Sequence, residues 1–549
     1  MAMEKVILIG GKAGQGTAVT SYFIGKVFCE LGYYVFNYRD YPSLIRGGHN
    51  FNVLRISDKP VYSHKDKYDI IVALDQKTID LHQKNLNKNG FILGDDDLKS
   101  KKLVSVDVDL TLKKLKAPRI IENDIFIGWL FKYFGIDKKL LLREAEKKFK
   151  TKKINLIKKA IEKGYTLGKI KEKLKRIGKS KYFISGNQAV GVGALSSGID
   201  IYIAYPMTPA TAVLHFLAKK QLDNNILVLQ LENEIGVANA ALGASFGGAK
   251  TMVGTSGGGF ALMTEALSLS GISELPLVVY LAQRTAPATG VPTYTGQGDL
   301  KFVVNAGHGE FPRIVVAPGD PKEAIMRTKE AFYLSTKYHL LSIIISDKHL
   351  GESDYAFDKL ERSSVSNERF ILKKPSKDYK SYKITKDGVS PRAVPGQGPV
   401  VRATSYEHNE YGNTIEDAYW TVKMTDKRFK KLKYLKDEIK KLNPTILYGK
   451  GKNLIIGWGS TKGAIIDALP QLKDFRFLQI SYISPFPKEI VKREIEKSKK
   501  VILVENNVTG LLGDIIAEQT GYIIKNKVLK YDARPFVSEF IVNKIKRKS

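Results

Sequence analysis

The feature that most constrains this chain is a recurring three-part unit: a short apolar run, a loop of Gly, Ser, Thr or Pro, then a helical pattern. It appears in "KVILIGGKAGQG" at the start, in "IDIYIAYPMTP", "AKTMVGTSGGG" and "ELPLVVYLAQRTAPATG" in the middle, and in "NLIIGWG" and "KVILVEN" near the end. Apolar runs of four to eight residues followed by helices predict strands buried in parallel sheets, hence an α/β fold. Ligands of such sheets bind at the carboxyl ends of the strands, where the Gly, Thr and Pro loops fall.

With 549 residues the chain exceeds one ordinary core. The shifts in pattern predict an α/β domain over 1–180, whose lysine-rich helical end (137–181) acts as a tether, a second over 183–355, a polar linker over 356–440 and a third α/β domain over 441–549. No apolar stretch nears the ~18 residues of a membrane span, so the expectation is a cytoplasmic protein without membrane contact.

Cys29 is the one cysteine. It excludes an intrachain disulfide framework, and it cannot supply the four thiolates of an iron–sulfur cluster, so any cluster must sit on another chain. The eight histidines show no H-x-x-x-H spacing, and no metal site is expected. The net charge of +32 invites a nucleic-acid reading. Its lysines, however, are spread along the whole chain and mixed with glutamates at helical spacing, and nothing interleaves aromatics with them as base stacking requires. A solvated helical face, or a landing surface for an acidic partner, fits better.

Four motifs carry candidate chemistry. Gly11, Gly14 and Gly16 form a G-x-x-G-x-G loop that is neither a dinucleotide fingerprint nor a Walker A loop; it suits an anion and a tight strand-to-helix turn equally. In "AYPMTPATA", Tyr205 and Pro206 lead to Thr208, which reads as an N-cap with Pro209 at the first helical position. Free N–H groups there would favour a carboxylate. Glu234 opens a helix of mostly Ala, Gly, Ser and Asn; ordinary dipole compensation explains a glutamate at that point as well as chemistry does. Arg284 follows the run "LPLVVYLA", where a guanidinium can clamp a carboxylate or phosphate, though a surface arginine is the commoner case.

Taken together, "GNQAVGVGALSSG", "AYPMTPAT", "ENEIGVANAALGASFGGAKTMVGTSGGGFALMTEALSL", "QRTAPATGVPT", "SYEHNEYG", "VENNVTGLLGD" and "KYDARPF" resemble the alpha subunit of 2-oxoacid:ferredoxin oxidoreductases. The leading "GGKAGQG" with "YRDYPSLIRGGHNFNVLRIS" is similar to the gamma subunit, so the chain resembles the fused gamma–alpha form over nearly its whole length.

The resemblance implies oxidative decarboxylation of a 2-oxoacid, pyruvate or 2-oxoglutarate, to acyl-CoA with thiamine diphosphate, coenzyme A and ferredoxin. It implies that residues 183–355 are the pyrimidine-binding half of a shared thiamine site. A beta subunit would hold the diphosphate, Mg²⁺ and a [4Fe–4S] cluster, in a heterodimer or a dimer of heterodimers. By motif, Glu234 would hydrogen-bond the aminopyrimidine, Thr208 and Arg284 would bind the substrate, Tyr205 and Pro206 would flank the cofactor, and the Gly11–Gly14–Gly16 loop would face an anion or coenzyme A. Ala210, Ala212, Leu511 and Ala533 depart from residues usual in the family. A split transketolase-like subunit and a basic nucleic-acid-binding scaffold are the alternatives.

Overall fold

The structure, a computed structural model, describes residues 3–43, 48–149, 151–360 and 365–547. Of the gamma-like stretch "YRDYPSLIRGGHNFNVLRIS", residues 44–47 lie outside the described ones. The apolar runs become strands of three sheets, mostly parallel, flanked by helices. The chain divides into two compact units, 1–185 with 352–360, and 186–351 with 361–549.

The first unit holds an eight-stranded mixed sheet. Its strand Glu4–Lys12 pairs in parallel with Tyr68–Ala73 but antiparallel with His49–Ser57. Only the half beyond Tyr68 is parallel throughout, because Tyr34–Asp40 and His49–Ser57 pair antiparallel, which needs no helical crossover between them. Tyr182–Ser185 and Asp354–Phe357 also belong to this sheet, at the edge beyond Tyr34–Asp40. Residues expected to begin and end the second domain thus complete the first.

The lysine-rich tether is also structured. Lys138–Lys148 and Ile154–Leu167 are helices, and the second lies against Glu122–Tyr133 so closely that backbones nearly touch. A Cβ on Gly128 would come within 2.0 Å of the Ile161 carbonyl oxygen, so the crossing requires glycine. Ile157, Ala160 and Ile161 join the core while the lysines stay on the outer face, as their helical spacing predicts.

The second unit contains two sheets over one continuous core. The seven-stranded sheet runs, in spatial order, Tyr482–Ser484, Arg313–Val316, Leu341–Asp347, Leu277–Gln283, Thr251–Thr255, Ile201–Ala204 and Leu227–Gln230. All its pairings are parallel except that of Tyr482–Ser484, contributed by the C-terminal region. The five-stranded sheet is built from Thr445–Tyr448, Phe475–Ile480, Asn453–Gly457, Val501–Glu505 and Asn526–Leu529. Trp458, Leu478 and Leu503 pack in the same cluster as Val253, Leu281 and Ile343.

The segment 356–440, read as a linker, does not run free in solvent. After 365 it is irregular but buries Tyr379 and Tyr382, then forms the helix Ala418–Lys440. Lys427 and Lys431, with fully buried side chains, both reach the buried carboxylate of Glu274, and Arg428 pairs with Glu407. Such charges are tolerated in a core only when paired, so the Glu274 pairs hold the excursion against the end of the helix Thr264–Ser273. Among the described residues no helix is long and apolar enough to cross a membrane.

Candidate active site

Four neighbouring parallel strands of the seven-stranded sheet deliver the candidate residues from their carboxyl ends. Leu277–Gln283 is followed by Arg284, Thr251–Thr255 by Ser256 to Gly259, Ile201–Ala204 by Tyr205 to Thr208, and Leu227–Gln230 by the turn that ends at Glu234. Adjacency in the sheet therefore gathers residues as distant in the chain as Tyr205 and Arg284 at one edge, where an α/β sheet leaves room for ligands.

Glu234 is the first residue of the helix Glu234–Phe246, whose N-cap Asn233 accepts a hydrogen bond from Gly236 N–H through its own side chain. The cap is therefore already served, and Glu234 is not needed for it. Glu234 is 3% exposed, and its Oε1 is buried without a hydrogen-bond partner. A buried carboxylate oxygen left unmatched is costly unless a ligand completes it. Gly259 lies against it: a Cβ there would fall 2.5 Å from Glu234 Oε1 and 2.2 Å from Thr255 Oγ1. The second glycine-rich loop thus keeps a cradle open around this carboxylate.

The "YPMTP" turn differs from the expected helix start. The helix begins at Thr211, its N-cap is Ala210, and the Thr208–Pro209 peptide is cis. The Pro209 carbonyl is taken by the buried Asn187 side chain (2.9 Å), whose Oδ1 in turn accepts from the Tyr280 hydroxyl. Val213 N–H instead bonds to the Ala210 carbonyl, and two N–H groups expected to be free, those of Ala210 and Thr211, are spent on the Met207 carbonyl. The turn is consequently a fixed ledge rather than a helix-terminal anion site. From it, the Thr208 carbonyl accepts a hydrogen bond from Arg284 Nη1 (2.9 Å), which locks the guanidinium to the ledge. Met207 lies 4.0 Å from the Thr255 hydroxyl through its sulfur, so this turn also reaches the Glu234 cradle. Tyr205 is 39% exposed and Pro206 half-buried at the outer rim.

Beside Arg284 opens a cavity of about 710 Å³, lined on one side by Ser256, Gly257 and Asp299 and on the other by Asn506, Asn507 and Tyr531. Burial lowers the pKa of Arg284, opposed by the charge of Asp299. Two facing walls come from different sheets and are joined by the buried Gln297. Its backbone N–H bonds the Asn506 carbonyl, its Nε2 donates to the Trp458 carbonyl, and its Oε1 accepts from Asn506 N–H. Ala533, another lining residue and a position where glycine is common in the resembled family, stands at φ 63°, a left-handed conformation that costs a residue with a Cβ about 1–2 kcal/mol.

Sequence reasoning does not single out Asp299, Asn506 or Asn507, although the last two lie in "VENNVTGLLGD"; no spacing rule brings position 299 to position 506. Gly11, Gly14 and Gly16 belong to the first unit. Gly14 and Gly16 have φ of 92° and 78°, and Gln15 turns back to accept from Lys12 N–H, so the turn alone requires its glycines. Among the described residues no cluster of three or more metal-ligating side chains occurs.

A parallel sheet whose ligand edge carries an unmatched buried carboxylate, an anchored arginine and a cavity continuing into a second sheet has the arrangement of an α/β enzyme subunit that binds ligands at its strand ends. Residues 192–427 match the family model described as pyruvate flavodoxin/ferredoxin oxidoreductase, thiamine diphosphate-binding, and residues 6–167 match pyruvate ferredoxin/flavodoxin oxidoreductase. The chain is 32% identical to a 2-oxoacid:ferredoxin oxidoreductase subunit alpha from Sulfolobus sp, over 97% of this chain and 95% of that one. It is 31% identical to a 2-oxoglutarate synthase subunit of Methanocaldococcus jannaschii, over 59% of this chain and 88% of that one. A solved 2-oxoglutarate:ferredoxin oxidoreductase from Magnetococcus marinus, with 2-oxoglutarate, coenzyme A and succinyl-CoA bound, superposes with a TM-score of 0.90 at 28% identity, covering 99% of both chains. This chain belongs to the 2-oxoacid:ferredoxin oxidoreductase family and corresponds to its alpha subunit.

Proposed function

We propose that the chain is one half of a two-chain active site that decarboxylates a 2-oxoacid of the pyruvate or 2-oxoglutarate type, transfers the acyl group to coenzyme A and passes electrons to ferredoxin. The observation that carries this reading is the unmatched, buried Glu234 Oε1 facing a cradle that Gly259 keeps open. Thiamine diphosphate fits that cradle: its aminopyrimidine offers the ring nitrogen that a lone buried carboxylate needs. Bound there, it supplies the carbon nucleophile and the electron sink for loss of CO₂.

The protein's own part follows from its residues. Glu234 would hold the aminopyrimidine through Oε1 and keep the shared proton there, in a site where low polarity strengthens a hydrogen bond. Arg284, fixed by the Thr208 carbonyl, receives the substrate carboxylate, and Thr208 orients the oxo oxygen. Tyr205 and Pro206 border the cofactor. The diphosphate, Mg²⁺ and the [4Fe–4S] cluster fall to a beta subunit, consistent with a single cysteine, Cys29, buried in the core of the first unit. The Gly11–Gly14–Gly16 loop receives an anionic group such as coenzyme A.

Co-expression with the beta subunit and an acceptor-reduction assay test the reading. Glu234→Gln, isosteric but unable to take the proton, should lower kcat by about 10²–10⁴-fold with the complex still assembled. Turnover within a few-fold of the parent would sink it.

A further inference from the structure

Asp299 is the charged group of the cavity that the proposed chemistry leaves unused. Its Oδ2 is buried with no hydrogen-bond partner, and its side chain makes no cap bond to the short helix that follows it. Its backbone N–H donates to Gln283 Oε1 at 2.9 Å, so its position is set from the strand end that also carries Arg284. Gly257 makes room for it: a Cβ there would lie 2.6 Å from Asp299 Oδ2. Arg284 and Asp299 both line the cavity, yet Arg284 turns to the Thr208 carbonyl and, among the described residues, forms no ion pair with Asp299.

A buried carboxyl facing an arginine that it does not clasp is poised between two protonation states. Burial pushes its pKa up to about 6, against a smaller opposing pull from the Arg284 charge. Tyr531, across the cavity, is the other titratable lining group, and Glu234 stands behind Gly259 on the far side of the same loop. When a carboxylate settles on Arg284, it takes up the charge that opposes protonation of Asp299 and adds a second negative charge to one desolvated cavity, which further disfavours the ionised form of Asp299. The group free to take a proton is Asp299.

We propose that Asp299 is a further substrate-binding residue: in its protonated form it donates a hydrogen bond from Oδ2 to a carboxylate or oxo oxygen of the 2-oxoacid held by Arg284. Binding then takes up one proton from solvent, and departure of the carboxylate as CO₂ lets Asp299 return it. This rests on the proposed role of Arg284 as carboxylate receiver.

The test uses the assembled complex with its beta subunit and pyruvate as the probe, with KM and kcat measured from pH 5.5 to 8.5. Wild-type KM should rise as pH passes above 6, by up to about tenfold per pH unit for one linked proton, while kcat changes less. Asp299→Asn, permanently neutral and still a donor, should give a flat KM profile near the wild-type acid limit. Asp299→Ala should raise KM by about 10–100-fold at the acid end, the loss of one hydrogen bond to a charged group. Gly257→Ala, which displaces the carboxyl without removing it, should raise KM in the same direction. A flat wild-type profile, or an unchanged slope in Asp299→Asn, in a complex that turns over pyruvate overturns this assignment alone. A complex that turns over no 2-oxoacid overturns it together with the functional reading beneath it.

Discussion

Replacing Gly259 with alanine probes the site without changing the identity of any charged or hydrogen-bonding group. The added methyl carbon would sit 2.5 Å from Glu234 Oε1 and 2.2 Å from Thr255 Oγ1, whereas a relaxed carbon–oxygen contact needs about 3.3–3.6 Å. Something must therefore move by about 1 Å. Thr255 is fully buried in a strand paired on both sides, so the Glu234 side chain is the part that yields. Overpacking of this kind costs about 1–3 kcal/mol of stability, and a 1 Å displacement of a catalytic group costs about 10²-fold in rate.

The expected result is a folded complex with a modestly lower unfolding midpoint and kcat reduced by about 10²-fold. Gly258→Ala is the matched control: a Cβ at that neighbouring position meets nothing within 4 Å, so its kcat should stay within about twofold of the parent. If Gly259→Ala turned over like Gly258→Ala, the Glu234 carboxylate would not be the group on which the chemistry depends.

Two further perturbations address the interior of each unit by itself. Glu274→Gln leaves the buried ammonium groups of Lys427 and Lys431 without a carboxylate and should destabilise the second unit by about 3–5 kcal/mol, whereas Glu274→Met with Lys427→Met and Lys431→Met should restore most of the loss; denaturant titration separates the two outcomes. In the first unit, burial pushes the Asp124 carboxyl up to about 7, above its unfolded value, so the folded state retains a proton that the unfolded chain has released and stability falls as pH rises from about 4 to about 7. Asp124→Asn should accordingly change little at pH 4 and stabilise at pH 8 by up to ~4 kcal/mol; an equal effect on the thermal midpoint at both pH values would contradict the stated cause.

Much of the architecture is legible from short patterns, because a strand buried on both faces must be apolar and the loop after it must turn. That logic locates Glu234, the "YPMTP" turn and Arg284 at strand ends, and the motifs identify the family. It misjudges segments whose fate depends on distant partners. Lys427 and Lys431 look like members of a solvated lysine run, and only the presence of Glu274, over 150 residues earlier, makes them interior. Tyr182–Ser185 and Asp354–Phe357 look like the ends of the second domain because strand membership is decided by pairing, which leaves no local mark. The turn at Thr208 looks like a helix cap because proline after threonine usually is one, and it is diverted by Asn187 and Tyr280, both remote in sequence.

What the linear chain determined is the inventory: alternating α/β units, one cysteine, and a glutamate, a threonine and an arginine each placed just beyond an apolar strand. What only the folded molecule decided is which of these meet and what they lack. Parallel neighbours in one sheet bring Arg284 onto the Thr208 carbonyl, and Gln297 closes a cavity against a second sheet. There Asp299 is left beside Arg284 with an unmatched oxygen, because desolvation and unmet hydrogen bonds are properties of a packed interior.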